Sequence, residues 1–174
     1  MKRNILLALT ILLSVVFAQA ADKIKIGDLY YHLDSSAKTA AVTSPVSSSE
    51  YSGDIVIPSS VTSEGIFHRV TGIEDYGFAY CHDIVSITIP NSVTTIGIGA
   101  FYYCTRLASI TIPKSVTNVG MYGDSFAHCN SLSSIIVESG NAVYDSRNNC
   151  NAIIETATNT LVKEDARQQL FLIV

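Results

Sequence analysis

The stretch IVSITIPNSVTTIGIGAFYYCTR, residues 84–106, sets directly over LASITIPKSVTNVGMYGDSFAHCNS, residues 107–131. Pro90 and Pro113 are 23 residues apart, as are Phe78 and Phe101, and Cys81 and Cys104. Phe101 to Phe126 and Cys104 to Cys129 are both 25 apart, because MYGD carries two additional residues. A further copy opens at LSSIIVESG, residues 132–140, and an earlier one at DIVIPSSVT, residues 54–62. In that earlier copy SEGIFHR, residues 63–69, separates the proline-bearing segment from VTGIEDYGFAYC. Self-similarity at a fixed period of this length marks a unit that buries its apolar face only by stacking on its copies.

Each part of the unit has a local reading. SITIP alternates, so Ile87 and Ile89 share one face and Thr88 takes the other. Pro90 ends the strand, because it has no N–H to give to a ladder. Val93 and Ile96 make a second short apolar edge, and Gly97 and Gly99 permit a tight corner. Ala100, Phe101 and Cys104 fall on one face of a short helical turn, and Leu107 opens the next unit. A single coil does not offset the ordering of its own backbone, so stacking must supply the rest.

SITIPNSVTTIGIGAFYYCTRL and its neighbours resemble the BspA-like leucine-rich repeat family, a bacterial surface and secreted group. Its hallmark is an I-T-I-P-x-S-V strand, an I-G turn and an A-F-x-x-C helical turn, matched here across roughly residues 22–162. The resemblance implies surface display and adhesion or host-protein contact, and no enzymatic activity.

The expected fold is mainly β with short helical turns: an α/β solenoid, a leucine-rich-repeat-like right-handed stack of about four coils with a β-hairpin N-cap. KIKIGDLYYHLD, residues 23–34, alternates like a strand, SSAK turns, and TAAVT, residues 39–43, returns. Residues 21–50 therefore make a capping hairpin and loop, and 51–162 the solenoid. Within 141–162, Ala152 to Thr156 and Thr160 to Val162 form a last hairpin. Residues 163–174 depart from the pattern and end on Phe171 to Val174. That tail is either an amphipathic cap, with Ala166, Leu170 and Phe171 over the last coil, or the remnant of a truncated longer protein.

The start of the chain speaks to compartment. MKRNILLALTILLSVVFAQA, residues 1–20, has a basic start, an apolar run and a small-x-small site at Ala18-Gln19-Ala20. This is a secretory signal peptide cleaved after Ala20. Its apolar run is shorter than the roughly 20 residues a bilayer core needs. Ala21 is not Cys, so lipid attachment is not indicated, and no span of membrane length follows. The product is expected to be secreted, periplasmic or on the cell surface. Loss of Lys2 and Arg3 takes the formal charge from −4 to −6, which excludes a nucleic acid held on a basic surface. Hydrophobic residues are 48% and charged residues 15%, which excludes a disordered chain.

Little in the chain carries chemistry. Gly123-Asp124-Ser125-Phe126 resembles the G-D-S block of a serine hydrolase family. That family places an Asp-x-x-His near its C-terminus, and no histidine follows His128 here. The competing reading places Ser125-Phe126 in the slot of Ala100-Phe101, and no catalytic residue is assigned. Cys81, Cys104 and Cys129 share one repeat position and read as a structural ladder of free buried thiols, not a metal site or disulfides. Cys150 lies apart from them. His32, His68, His82 and His128 read as surface or half-buried residues. No phosphate loop, dinucleotide fingerprint or calcium loop is present, so no cofactor or metal is expected.

The remaining candidates are interaction faces. The outward sheet positions are Asp54 and Val56, Ser86 and Thr88, Ser109 and Thr111, and Ser134 and Ile136. This neutral, hydroxyl-rich ladder suits a polar protein surface or a glycan. Tyr76, Tyr80, Tyr102, Tyr103 and Tyr122 gather at the turns, and Tyr102 and Tyr103 are either partner contacts or half-packed against neighbouring coils. An uncovered solenoid end invites end-to-end self-association.

Overall fold

The computed structural model describes residues 23–120, 124–149 and 152–164. Residues 1–22 (which include the expected signal peptide), Tyr122, Cys150 and residues 165–174 lie outside the described residues.

The chain opens with three strands, β1 (Ile24–Ile26), β2 (Leu29–Asp34) and β3 (Thr39–Thr43). Residues 23–34 are therefore not one strand. Gly27, at φ +61°, folds β1 back onto β2, and β2 returns through the expected turn into β3. Next come β4 (Ser52–Val56), β5 (Ser60–Ser63) and β6 (Ile66–Ile73). The inserted SEGIFHR segment is the hairpin between β5 and β6, turned by Glu64 and Gly65 at φ +51° and +76°.

Two strands per unit follow: β7 (Asp83–Thr88) and β8 (Thr95–Ile96), then β9 (Ser109–Ile112) and β10 (Asn118–Val119). The chain continues with β11 (Ser134–Val137), β12 (Tyr144–Asp145), β13 (Ala152–Glu155) and β14 (Thr160–Glu164), the last three forming an antiparallel sheet.

Equivalent strands of successive units lie side by side in parallel. In one ladder β3, β6, β8 and β10 follow each other, with Gly72 beside Thr95 and Thr95 beside Asn118. In the other, β4 pairs with β7 and β9 with β11, with Ile55 beside Ile87 and Ile110 beside Ile135. The inward isoleucines of SITIP, Ile87, Ile89, Ile110 and Ile112, are buried as the alternation requires.

The expected short helical turn forms as a 3₁₀ turn in one unit, at Asp124–Phe126, and not around Phe101. Around Phe101 the backbone makes consecutive turns without helix, and short 3₁₀ turns occur at Ser48–Glu50, Asp124–Phe126 and Arg147–Asn149. Helix propagation is blocked because Tyr80, Tyr103 and His128 all take left-handed φ, 60°, 59° and 62°. Their backbones bond across units instead. Phe78 and Tyr80 N–H donate to Ala100 and Tyr102 C=O, at 2.8 and 2.7 Å. Phe101 and Tyr103 N–H donate to Ser125 and Ala127 C=O, at 2.8 and 2.9 Å.

The two corner glycines do different jobs. Gly99 is left-handed, φ +59°, and Tyr76 lies over it, with ring atoms 2.5 and 2.7 Å from where a Cβ would stand. Gly97 is needed for close approach to the backbone of Glu74 and Asp75 in the preceding unit.

Inside, Phe78, Phe101 and Phe126 stack with centroids 5.5 and 5.3 Å apart and planes within 3° and 8°. That rise follows the spacing of the strands that carry them, about 4.8 Å. Tyr51 closes the column, 5.2 Å from Phe78; its hydroxyl donates to Thr43 C=O and accepts from Tyr30 N–H. At the other end Asn141 donates from Nδ2 to Pro113 and Val116 C=O, and its Oδ1 accepts from Val143 and Tyr144 N–H.

Candidate interaction faces

The strand face is a run of registered side chains. Asp54 stands beside Ser86 and accepts its hydroxyl hydrogen at 2.5 Å, and Val56 stands beside Thr88. Ser109 stands beside Ser134, and Thr111 beside Ile136. Between these pairs β7 and β9 are joined by Ala108 N–H donating to Val85 C=O at 3.2 Å. Thr88, Ser109 and Thr111 are exposed, whereas Ser86 and Ser134 are half-buried. Val85 is an extra outward residue in β7, and its bulge shifts the register at Gly53 and Asp54. The row ends in exposed apolar groups, Val56 and Ile136.

The turns build a second face. Tyr80, Tyr103 and His128 occupy the position two after the phenylalanine in three successive units. Their rings form a column: Tyr80 on Tyr103 at 5.4 Å and Tyr103 on His128 at 4.2 Å, planes within 14° and 23°. Tyr102 meets all three edge-on, 5.5 Å from Tyr80, 4.8 Å from Tyr103 and 5.5 Å from His128. His82 stands edge-on to Tyr80 and Tyr103 at 6.3 and 6.5 Å. Tyr80 is half exposed, and Tyr102 and Tyr103 are partly so. Left-handed φ strains Tyr80, Tyr103 and His128 by about 1–2 kcal/mol each. Ring stacking and the cross-unit hydrogen bonds hold them there. The expectation singled out Tyr102 and Tyr103 but missed that His82 and His128 join them. The signal was present in the shared slot of Tyr80, Tyr103 and His128. Tyr76 belongs to a different corner, over Gly99.

Ser125 is 1% exposed, and its hydroxyl lies 3.1 Å from Gly97 C=O and 3.4 Å from Gly120 C=O. It fills the slot of Ala100, and its hydrogen is directed at backbone carbonyls instead of an imidazole. Cys81, Cys104 and Cys129 are all buried in their shared repeat slot. Cys104 and Cys129 Sγ each point at the phenylalanine carbonyl of the preceding unit, Phe78 and Phe101, at 3.1 Å. Burial pushes the Cys81 thiol up to about 12 and raises that of Cys104 further.

His68 is a correction: it is 1% exposed, not surface or half-buried. It faces inward from β6, with Nδ1 3.1 Å from Ile66 C=O. His32 Nδ1 lies 2.8 Å from both carboxylate oxygens of Glu74. Among the described residues, no group of three or more His, Cys, Asp or Glu is placed to hold a metal ion, and no helix is long and apolar enough to cross a membrane.

The repeated strand, corner and aromatic slot are matched by a family model described as BspA type leucine rich repeat region, in six copies over residues 71–164. The chain belongs to this family. The mainly-β repeat fold of this BspA-type chain agrees with a solved structure. It is similar to a leucine-rich repeat protein from Bacteroides ovatus, at TM-score 0.55 and 29% identity over 65% of this chain and 29% of that one. A leucine-rich repeat protein from Bacteroides capillosus aligns at TM-score 0.48 and 22% identity over 67% of this chain and 99% of that one. The pneumococcal vaccine antigen PcpA aligns at TM-score 0.41 and 16% identity, over 85% of this chain and 57% of that one. The chain thus spans less than a third of the Bacteroides ovatus structure's length. No curated protein matches significantly.

Proposed function

We propose that this BspA-type chain is exported, and that residues 21–174 act as a non-enzymatic binding module, secreted, periplasmic or at the cell surface, for a protein or glycan partner. In this reading residues 51–162 are a right-handed solenoid of about four coils, flanked by caps. Family membership and the leader MKRNILLALTILLSVVFAQA support export. The observation that carries the binding role is the five-ring surface cluster of Tyr80, His82, Tyr102, Tyr103 and His128. Tyrosine gives a rigid, amphipathic contact surface that loses little entropy on binding. A preformed cluster needs no further ordering, so its contacts go into affinity. The hydroxyl ladder Ser86, Thr88, Ser109, Thr111 and Ser134 lacks such an anchor and is the secondary face.

The test is a screen of residues 21–174 against immobilised glycans and extracellular proteins. Y102A/Y103A is run beside S109A/T111A. A partner whose binding falls about tenfold or more with the tyrosine pair alone supports the reading. Binding that follows the hydroxyl pair moves the site to the strand face. Expressing the full chain in a Gram-negative host and finding Met1 retained in the cytoplasm would remove the export reading.

A further inference from the structure

The structure assigns a second docking site, separate from the aromatic face: the free edge of β4, which takes an extended strand of a partner protein whose side chains alternate basic and apolar. The inference starts from the direction of backbone groups. Ile57 N–H donates to Thr88 C=O at 3.0 Å, so it faces β7. In an extended strand successive residues point their N–H and C=O to opposite sides. Asp54 and Val56 therefore turn theirs away from β7. Among the described residues β4 pairs with β7 alone, so this side of the strand has no ladder partner. The other long sheet is extended at the same end by β3, β2 and β1, so its edge lies at β1. The N-terminal strands extend one ladder and leave β4 as the edge of the other.

A groove of about 400 Å³ runs along that open edge, lined by Lys25, Asp28, Leu29, Glu50, Ser52 and Asp54, with Ile55 and Val56 completing it. Its exposed lining is mostly polar, and its floor is a narrow apolar strip where the edges of Leu29 and Ile55, 4% and 7% exposed, reach it. Its rim is acidic: Asp28, Glu50 and Asp54 outnumber Lys25, which is already held by Glu50 at 3.1 Å. A docked strand would find backbone donors and acceptors at Asp54 and Val56, a narrow apolar strip for small apolar side chains and carboxylates for the other set. That is recognition by strand addition, with main-chain bonds giving affinity and alternate side chains giving specificity. Pro58, just beyond the strand, limits the docked segment to a short one. A second copy of this chain is disfavoured as occupant, because pairing β4 with β4 sets two acidic rims against each other.

The probe is a short labelled peptide alternating Lys and Val, with its Glu–Val counterpart as control, read by fluorescence anisotropy on residues 21–174. The Lys peptide is expected to bind and the Glu peptide not to. Binding should weaken about tenfold or more when salt is raised from low to half-molar. V56P removes an outward N–H without touching the β4–β7 ladder, and D54K reverses one rim charge. Each is expected to weaken the Lys peptide about tenfold while the thermal transition persists, and Y102A/Y103A is expected to leave it unchanged. Equal binding of both peptides, no binding at millimolar peptide, or full binding to V56P would overturn the assignment. So would a dimer in size-exclusion chromatography that V56P dissolves, since the edge would then belong to a second copy. None of these outcomes bears on the aromatic face.

Discussion

Gly120 shows how tightly neighbouring units approach. Its N–H donates to Ile96 C=O at 2.7 Å, and a Cβ built there would stand 2.5 Å from Ile98 N and 2.6 Å from Ile98 Cα. Those are main-chain atoms and cannot swing aside as a side chain does. Gly120→Ala is therefore expected to lower stability by about 1–3 kcal/mol. The measurement is the urea midpoint at unchanged slope. Gly65→Ala is the comparison, because an added Cβ there meets nothing within 4 Å, although φ is +76°. It is expected to cost only the backbone strain, about 1 kcal/mol. Equal losses at both sites would mean that inter-unit approach is not what selects glycine at Gly120.

Among elements, the turn after β11 contacts the preceding unit through side chains. In an interior unit the turn after Pro90 is covered by the next unit: Ser115 Oγ donates to Val93 C=O at 2.7 Å, and Thr117 N–H to Thr94 C=O at 2.9 Å. The matching turn after Pro113 is covered by two side chains, Glu138, whose Oε2 accepts from Lys114 N–H at 3.0 Å, and Asn141. Asn141 donates to Pro113 and Val116 C=O at 3.0 and 2.9 Å while accepting two N–H groups at 2.8 Å. Asn141→Ala leaves two carbonyls and two N–H groups without this partner. A loss of about 2–3 kcal/mol is expected in chemical denaturation, with Asn141→Asp recovering only the accepting half. A change under 0.5 kcal/mol would show that water replaces the amide. Nothing in a 23-residue period announces this contact, because Asn141 stands where the earlier units have Val93 and Val116. The strands were legible because Ile87, Ile89 and Pro90 state their roles locally, and the cysteine and phenylalanine slots recur at fixed spacing. The left-handed slot of Tyr80, Tyr103 and His128 was not. Helical and αL turns place a buried Phe and Cys alike, and the choice between them is made by bonds to the next unit. The β1–β2 hairpin was missed for a similar reason, since Gly27 interrupts an alternation that continues on both sides of it.

At the scale of the whole molecule, burial decides both pH response and cooperativity. The Cys81 thiol and the Tyr31 phenol are each pushed up to about 12 by burial. The unfolded chain releases these protons at ordinary values, about 8.5 and 10. Their contribution to stability is thus whole below about pH 8.5 and lost as pH climbs towards 12. In a Cys150→Ser background, native protein at pH 8 is expected to leave a thiol reagent almost unreacted, whereas denaturant exposes the ladder. Rapid labelling in the native state would show that the interior opens locally. Cooperativity follows from the same interior. Phe101 lies between Phe78 and Phe126 and is fully buried, so truncating it removes both stacking contacts at once. Phe101→Ala is expected to cost about 3–5 kcal/mol. In a stack whose units touch only their neighbours, such a break divides the array. The thermal transition should then broaden or split, with hydrogen exchange fastest on the side of β11. Tyr51→Ala removes the end of the column and two hydrogen bonds. It should lower the transition temperature yet keep a single step, because no unit is cut off from the rest. If both variants keep one sharp transition, cooperativity is carried by the backbone ladders instead of the phenylalanine column.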